Sequence, residues 1–341
     1  MNLILPVAGE SSRFPDMKPK FLLTHPNGNL MIMEAIKGLN LNKVERIVII
    51  GLEEHEEKYE FSEDLKKEFS SHRVDIHLLK NKTKNQPETV YEGIKRSKLK
   101  GSILIKDCDN YFELKDYHNS NFIAVADLHN QDKINASNKS YVNIGSKNTV
   151  VNIIEKEIIS NVFCCGAYYF EDVNEYLSYY KELADYEHLF LSHIIYKMIL
   201  DKKVFFTKEV KNYIDWGTIE DWNNYRDDFS TVFIDIDGVL LENSGKYCKP
   251  KWGDVGGIVE NIDIINKLYE TNKVHIVITT ARPEDIAIKH LEKNNVKYHN
   301  IIANLPHAKR ILINDYANSN PYPSAIAVNL ERNSNRLGEL L

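Results

Sequence analysis

Short runs rich in isoleucine, valine and phenylalanine recur along the whole chain and alternate with longer amphipathic stretches. This alternation is typical of parallel strands covered by helices, so it predicts an α/β fold in both halves of the chain. The strands that it predicts are Leu3 to Val7, Arg46 to Ile50, Ser102 to Ile105, Phe122 to Ala126, Thr231 to Ile234, Val274 to Ile278, Ile311 to Ile313 and Ala325 to Val328.

The length of 341 residues exceeds what a single core usually supports, so two domains are expected. A polar, aromatic helix predicted over Ile219 to Asp228 is followed by a new buried strand at Thr231. We therefore predict one domain over residues 1–228 and a second over 229–341. Because the linker is short, we expect the two domains to pack together with restricted motion.

Composition and charge exclude several classes of protein. With 43% hydrophobic residues and no run of 18 apolar positions, the chain has enough material for a core and no segment to span a bilayer. The net charge of -6 and pI of about 6.1 provide no basic surface for nucleic acid. The pattern of Met1 to Pro6 predicts a strand and not a secretion signal. A cytoplasmic location, without nucleic-acid or membrane partners, is expected.

The four cysteines show neither metal-ligand spacing nor the density of a disulfide framework. Cys164 and Cys165 are neighbours and would face opposite sides of a strand, which argues against a shared zinc ion. Reduced structural thiols are the expectation for these two residues and for Cys108 and Cys248.

The first predicted strand runs into a glycine-containing loop, Pro6 to Phe14, which is followed by Lys18-Pro19-Lys20. A glycine with small neighbours lets backbone N–H groups approach phosphate oxygens. Arg13 and Lys20 would neutralise charge on the pyrophosphate and the reacting α-phosphate. The loop is neither a P-loop nor a Rossmann glycine motif. The residues expected to contact the nucleotide are Ala8, Gly9, Glu10, Ser11 and Ser12.

This loop resembles that of the nucleotidyltransferases that activate sugar phosphates or related alcohol phosphates, whose first strand ends in A-G-x-x-[ST]-R-F before a Pro-Lys pair. The family signature normally has a second glycine where this chain has Ser11. The resemblance covers about residues 1–227 and implies a Rossmann-like, three-layer domain with the mixed sheet of GT-A-like folds. The loop is closer to that of cytidylyltransferases, so CTP is the favoured nucleoside triphosphate.

Carboxylates stand at the two positions where the family has its metal ligands. The strand Ser102 to Ile105 ends before Asp107 and Asp109, and Mg²⁺ bridging a triphosphate needs carboxylate oxygens at such a strand end. Asp109 is the first choice and Asp107 the second. Asp215, before Trp-Gly, resembles the second metal carboxylate, although a turn or a helix N-cap explains an aspartate there equally well.

The resemblance also assigns the acceptor side, which would bind a sugar or polyol phosphate. Lys156 would meet the acceptor's phosphate and Glu155 its hydroxyl groups, although a surface ion pair is the ordinary explanation for such a pair. Asn161 and Gly166 complete the acceptor residues that the resemblance implies.

Gln86 and Thr89 match the position where the family contacts base and ribose. The start of a helix with proline in its first turn explains the same residues without function. The implied reaction is in-line attack of an acceptor phosphate oxygen on the α-phosphorus, with release of pyrophosphate and catalysis by positioning and charge stabilisation.

The strand Thr231 to Ile234 ends in D-x-D-G-V-L, the most specific motif in the chain. It resembles the haloacid dehalogenase phosphohydrolases, over residues 230–341. The resemblance makes Asp235 the nucleophile that forms an aspartyl phosphate and Asp237 the general acid and base, with both near Mg²⁺. Thr280, after the strand Val274 to Ile278, would hold the phosphoryl group. Asp315 would bind Mg²⁺ after a third strand, Ile311 to Ile313.

The family's lysine is assigned to Lys309, with Lys297 as the alternative. Asn314 stands where many relatives have another acidic residue. The spacing leaves no room for a large cap domain, so a capless, haloacid dehalogenase-like parallel sheet is expected. A degenerate domain retained for docking is the alternative.

Nucleotidyltransferases joined to such a domain resemble enzymes of bacterial capsule or lipopolysaccharide precursor synthesis. Two rival functions stay open: a nucleotide-sugar sensor without turnover, and a phosphatase whose first domain only binds substrate. The retained Asp109, Asp215, Asp235 and Asp237 argue against the sensor. A homo-oligomer is also left open, because the aromatic segment Tyr176 to Tyr180 would suit either a partner subunit or internal packing.

Overall fold

The computed structural model describes residues 1–9, 11, 13–15, 17–117, 120–131, 134–315 and 325–341. It divides the chain into two compact units, Met1–Asn223 and Asn224–Leu341. The division falls within a helix, Ile219–Asp227, whereas the sequence places the boundary after residue 228. The helix itself was predicted and is confirmed.

The first unit alternates strands and helices along the chain. Its strands are β1 (Asn2–Pro6), β2 (Arg46–Leu52), β3 (Arg73–Leu79), β4 (Ile103–Lys106), β5 (Asn110–Glu113), β6 (Phe122–Asp127), β7 (Ser140–Ile144), β8 (Val150–Glu155), β9 (Val162–Phe170), β10 (Phe206–Glu209) and β11 (Lys211–Asp215). Its helices are α1 (Met31–Lys37), α2 (Glu53–Tyr59), α3 (Ser62–Glu68), α4 (Gln86–Ser97), α5 (Val173–Leu183) and α6 (Leu191–Leu200), and α7 is the boundary helix Ile219–Asp227.

A mixed sheet forms the centre of this unit. Its order is β10-β6-β9-β4-β1-β2-β3, and β7 pairs with both β8 and β9. β1 runs parallel to β2 and β4, whereas β9 runs antiparallel to β4 and β6. β11 and β5 form a separate antiparallel ribbon. The sequence prediction of an α/β fold with a mixed sheet is therefore confirmed for this unit.

The central strands are buried on both faces. Ile4 of β1 packs in a cluster with Val90 of α4, Tyr176 of α5 and Ile194 of α6. Leu3, whose side chain points to the opposite face, is also fully buried. Burial on both faces explains why these strands appear in the sequence as continuous apolar runs, and each such side chain contributes about 1.5–3 kcal/mol.

The second unit contains β12 (Ser230–Asp235), α8 (Val259–Glu270), β13 (Val274–Thr279), α9 (Glu284–Lys293) and β14 (Asn300–Ile302). The strands are parallel, in the order β12-β13-β14. Ile276 and Ile278 of β13 share a core with Ile265 of α8 and Leu291 of α9. In the described parts of both units, no helix has the length and apolar character needed to cross a membrane.

Two predicted strands of the second unit are wrong. Residues 311–313 and 325–328 lie outside every strand, and Ile313 is 88% exposed. The third parallel strand is β14 instead, which pairs with the end of β13. A strand requires a paired neighbour, and a three-residue apolar run carries no periodicity that reveals whether a neighbour exists.

Candidate active site

Strand register brings distant segments of the first unit together. β1 and β4 are parallel neighbours, so the loop after Pro6 and the turn after Lys106 leave the sheet at one edge. In the ribbon, Asp215 pairs directly with Asn110, one residue after Asp109. The Trp216 N–H also donates to the Asp109 carbonyl, at 2.9 Å. The backbone therefore fixes Asp215 beside the β4 turn.

These segments enclose a cleft, which is defined by its lining residues. They are Arg13, Gln86, Asp107, Asp109, Asn110, Asn138, Lys139, Ser140, Glu155, Cys164, Cys165, Gly166, Tyr168, Phe190, Leu191, Ser192, Tyr213, Asp215 and Gly217. Seven residues that the sequence analysis selected lie on this list, from six separate segments. The structure therefore brings together a part of each predicted set, nucleotide, metal and acceptor.

The loop after β1 carries a left-handed residue where the family has its second glycine. Ser11 has φ of +51°, a conformation that costs a non-glycine residue about 1–2 kcal/mol. Its hydroxyl accepts a hydrogen bond from the Lys20 N–H at 3.0 Å. Ala8 is buried and Gly9 exposed. Glu10 and Ser12, both predicted nucleotide contacts, lie outside the described residues.

Asp109 is held by two cations from this loop region. The Lys20 Nζ lies 2.5 Å from Asp109 Oδ2, and an Arg13 Nη atom lies 3.7 Å from the same oxygen. Burial raises the pKa of Asp109, but the Lys20 and Arg13 charges outweigh burial and hold the pKa well below its usual range. Asp109 is therefore an anion at neutral pH.

Asp107 has a different environment although it is only two residues away. The Gln86 side-chain amide donates to Asp107 Oδ1. Burial, reinforced by the Asp109 charge, raises the pKa of Asp107 to about 6. Gln86, predicted as a nucleotide contact, thus also orients a carboxylate. Thr89 is buried outside the cleft, and its hydroxyl is bonded to Thr83 at 2.6 Å.

Asp215 has a less exposed side chain than Asp109, which is 21% exposed. Its side chain is 6% exposed, and Lys139 Nζ lies 2.5 Å from its Oδ2. The Gly217 N–H donates to its Oδ1 at 3.1 Å. Burial raises the pKa of Asp215, and Lys139 only partly opposes this effect. The sequence analysis missed Lys139, because nothing in the residues around it distinguishes it from a surface lysine.

Asp109 and Asp215 point to a common place. A Cβ on Gly217 would lie 3.0 Å from Asp215 Oδ1, 3.6 Å from Arg13 Nη1 and 3.8 Å from Asp109 Oδ2. Carboxylate oxygens without sulfur or imidazole ligands suit a hard cation such as Mg²⁺. Within the described ranges, no three His, Cys, Asp or Glu side chains form a complete ligand set. A bound cation would therefore need further oxygen ligands besides these side chains.

Lys106 supports the turn that presents both carboxylates. This fully buried lysine donates to the Asp107 carbonyl and to Asn110 Oδ1, each at 2.6 Å. Its ammonium group lies 4.5 Å from the centroid of the Phe112 ring. Burial lowers the pKa of Lys106, and the charge of Asp107 opposes this shift. A lysine at the end of the buried run ILIK was a sequence signal for this role.

Gly166 lets strand β9 approach Asp107. Its φ is +76°, and its carbonyl accepts a hydrogen bond from the Asp107 N–H at 2.8 Å. A Cβ at this position would lie 2.8 Å from Asp107 Cγ, closer than real Cβ contacts. The sequence resemblance made Gly166 an acceptor residue, whereas its contacts place it against Asp107.

Glu155 lies on the far side of the cleft. It accepts hydrogen bonds from the hydroxyl groups of Ser140 and Ser192, the latter at 2.8 Å. Lys156 is exposed, and its ammonium group lies 4.9 Å from the centroid of the Phe190 ring. Asn161 donates instead to Asp127 Oδ2, at 2.7 Å, and does not line the cleft. Of the acceptor residues, only Glu155 and Gly166 reach the cleft.

In the second unit, Asp235 and Thr280 lie at the ends of the adjacent strands β12 and β13, as predicted. Arg282, which is fully buried, donates from Nε and Nη2 to the two oxygens of Asp237, at 2.9 and 2.6 Å. Arg310 lies 3.3 Å from Asp235. The sequence analysis missed both arginines.

The predicted third strand end of this site is wrong. Asp315 lies in an exposed segment and not after a strand, and Lys309 is likewise exposed. The segment Asn300–Ile302 occupies the third position of the sheet. Asp235 and Thr280 therefore lie at adjacent strand ends as predicted, but Asp315 does not lie at a third.

No protein-family model matches the chain, and a search of curated proteins finds no relative. Solved structures do match. A nucleoside-diphosphate-sugar pyrophosphorylase from Vibrio cholerae RC9 is 18% identical, with a TM-score of 0.57 over 65% of this chain and 98% of its own. An inositol-1-phosphate CTP transferase from T. maritima is 17% identical, with a TM-score of 0.54 over 64% and 90%. A UDP-glucose pyrophosphorylase in complex with UDP-glucose is 12% identical, with a TM-score of 0.50 over 66% and 98%.

At these identities the similarity establishes the fold and not the activity. The matched share of about two thirds is the share that Met1–Asn223 takes of the chain. A nucleotidyltransferase-like fold is thus confirmed for that share. None of the three matched proteins is described as a phosphohydrolase, so the haloacid dehalogenase resemblance of the second unit stays a prediction.

Proposed function

We propose that the first unit transfers a nucleotidyl group from a nucleoside triphosphate, with CTP favoured, to a sugar or polyol phosphate and releases pyrophosphate. One observation carries the proposal. Asp109 and Asp215, from separate elements, meet beside Arg13 in a cleft whose far side carries Glu155. Three matched folds belong to proteins described as acting on nucleotide sugars or on CTP, which supports the same reading.

The chemistry follows from the placement of charge. Mg²⁺ would be held by Asp109 and Asp215, with Asp107 beside them, and when bound it supplies positive charge to the triphosphate. Arg13 and Lys20 contact Asp109 and neutralise charge that develops on the leaving pyrophosphate. The acceptor phosphate oxygen attacks the α-phosphorus as the bond to pyrophosphate breaks, so no covalent enzyme intermediate is needed.

Acceptor recognition would use the far side of the cleft. Glu155 is oriented by two serine hydroxyls and retains oxygen lone pairs for hydroxyl groups of a sugar or polyol. CTP is favoured by the loop resemblance and by the T. maritima fold match. Surface-polysaccharide precursor synthesis is a proposal that rests on the resemblance alone. A cytoplasmic location is proposed from the composition, and a homo-oligomeric state from the aromatic segment Tyr176 to Tyr180.

The test is pyrophosphate release from each of the four NTPs, with Mg²⁺ and a panel of sugar and polyol phosphates. We expect turnover to require both Mg²⁺ and an acceptor, and to be fastest with CTP. NTP binding without pyrophosphate release on any acceptor would contradict the proposal and favour the sensor.

A second candidate function is phosphomonoester hydrolysis by the second unit through an aspartyl phosphate on Asp235. It is supported by the position of Asp235 beside β13, whose end carries Thr280. Arg282 occupies both oxygens of Asp237, the proposed general acid, which favours instead the degenerate docking domain. Phosphate release by wild type and Asp235→Asn over a phosphomonoester panel distinguishes hydrolysis from docking. Equal rates in the two proteins would exclude hydrolysis through Asp235.

A further inference from the structure

We infer that Lys139, and not Lys156, is the cation that binds the phosphate of the acceptor. The inference rests on the nucleotidyl transfer proposed above and specifies one subsite of it. The family resemblance assigns this role to Lys156. Contacts within the cleft point to Lys139 instead.

The two lysines are cross-strand neighbours with opposite surroundings. The Lys156 N–H donates to the Lys139 carbonyl at 3.0 Å, so their backbones lie side by side. Lys156 is exposed, with its ammonium group over the Phe190 ring. The Lys139 side chain is 13% exposed and lines the cleft, where its ammonium group contacts Asp215 and the Tyr213 hydroxyl at 2.5 and 2.9 Å.

Lys139 stands between the two halves of the proposed reaction. On one side it contacts Asp215, which points to the same place as Asp109. On the other side the next residue, Ser140, pairs with Glu155 in the β7–β8 register and donates to its carboxylate. An acceptor would place its hydroxyl groups at Glu155 and its phosphate near Asp109 and Asp215. The phosphate would then lie beside the ammonium group of Lys139.

The contacts of Asp215 allow this ammonium group to change partner. Asp215 also accepts the Gly217 N–H, so it keeps one hydrogen bond when Lys139 moves. A lysine has a flexible stem and three donors, which allows it to turn from a carboxylate to a phosphate without a backbone shift. Arg13 and Lys20 contact Asp109 instead, so they serve the triphosphate side and leave Lys139 for the acceptor.

The experiment measures acceptor binding apart from turnover. Calorimetry would follow glucose 1-phosphate and inositol 1-phosphate binding to the full chain with Mg²⁺ and a non-hydrolysable CTP analogue. We expect Lys139→Met to weaken binding of the better acceptor about tenfold to a hundredfold, as for loss of a charge-assisted hydrogen bond. Affinity for the CTP analogue should change less than threefold. Lys156→Met should weaken acceptor binding less than threefold.

A second pair of variants removes the unpaired charge that Lys139→Met leaves on Asp215. Asp215→Asn is compared with Lys139→Met/Asp215→Asn, and the double variant should bind the acceptor at least tenfold more weakly. If Lys156→Met carries the loss, or if Lys139→Met weakens the CTP analogue and not the acceptor, the assignment is wrong. Failure of wild type to bind either acceptor also overturns it. Acceptor binding without pyrophosphate release would instead overturn only the proposed function.

Discussion

The two units place aspartates at strand ends in opposite ways. In the first unit, Asp109 and Asp215 come from elements more than 100 residues apart and meet in an open cleft, beside lysines with flexible stems. In the second, Asp237 is bound through both oxygens by a fully buried arginine, Arg282. The more specific sequence motif thus belongs to the less complete site. A motif identifies a strand end, but only the fold shows which partners its carboxylates have.

The largest expected effect concerns the buried arginine. Arg282→Met removes both hydrogen bonds that Arg282 donates to Asp237 and should lower the stability of the second unit by about 3–5 kcal/mol. Arg13→Met is the matched change in the first unit, where the side chain is 50% exposed, and should cost under about 1 kcal/mol. Calorimetric melting measures both. If Arg282→Met melts like wild type, its ion pair does not hold the second site together.

For nucleotidyl transfer, in contrast to stability, we expect the larger effect from a change in the first unit. Asp109→Ala removes the carboxylate that contacts both Lys20 and Arg13, so pyrophosphate release should fall about a hundredfold, equivalent to ~2.7 kcal/mol in the barrier. Asp127→Ala, outside the cleft, is the control and should stay within about twofold of wild type. If Asp109→Ala kept more than a tenth of wild-type turnover, the assignment of Asp109 to the site would be wrong.

The close approach at Gly166 is tested against another left-handed glycine. Gly101 has φ of +74°, but a Cβ there would meet nothing within 4 Å. Both alanine variants should lose about 1 kcal/mol from backbone strain. Gly166→Ala should lose about 1 kcal/mol more, because its Cβ would collide with Asp107. Urea unfolding measures the difference. Equal losses would show that Asp107 relaxes freely.

The smallest effect is a pH dependence of stability from Asp107. The folded pKa of about 6 lies above the unfolded value of about 3.9, so folding favours the protonated form. This contribution is full below about pH 4 and is lost as pH rises through about 6. Asp107→Asn should therefore stabilise the protein at pH 7.5 by about 1 kcal/mol and flatten the profile between pH 4 and 7. Thermal melts in EDTA check this. An unchanged profile would contradict the raised pKa of Asp107.

Long buried strands and the residues that end them could be predicted from the sequence. β1, β2, β4, β6 and β13 were found because continuous apolar runs identify strands buried on both faces. β12 was found from the same pattern, although its Phe233 is 52% exposed. Asp109 was predicted because it follows such a strand, and Asp215 because the segment before Trp216-Gly217 resembles the family's second metal position. The structure places both in one cleft, and their metal role stays a prediction. The two wrong strands, at 311–313 and 325–328, show the limit, because pairing with a neighbour is not encoded in a short run.

The partners of charged side chains could not be predicted from the sequence either. Lys139, Arg282 and Arg310 each contact a predicted aspartate, yet each lies 45 or more positions from it in the sequence. Only the fold brings them together. For the same reason the resemblance assigns the acceptor phosphate to Lys156, whereas the side chain that lines the cleft is that of its backbone neighbour, Lys139.

Central to this account is that the cleft of the first unit performs nucleotidyl transfer without the aspartates of the second. The most direct measurement is Mg²⁺-dependent pyrophosphate release from CTP, with glucose 1-phosphate and inositol 1-phosphate as acceptors, by wild type, Asp215→Asn and Asp235→Asn. We predict turnover by wild type, a loss of about a hundredfold in Asp215→Asn and a rate within about twofold of wild type in Asp235→Asn. Full activity in Asp215→Asn, or loss of activity in Asp235→Asn, would contradict the account.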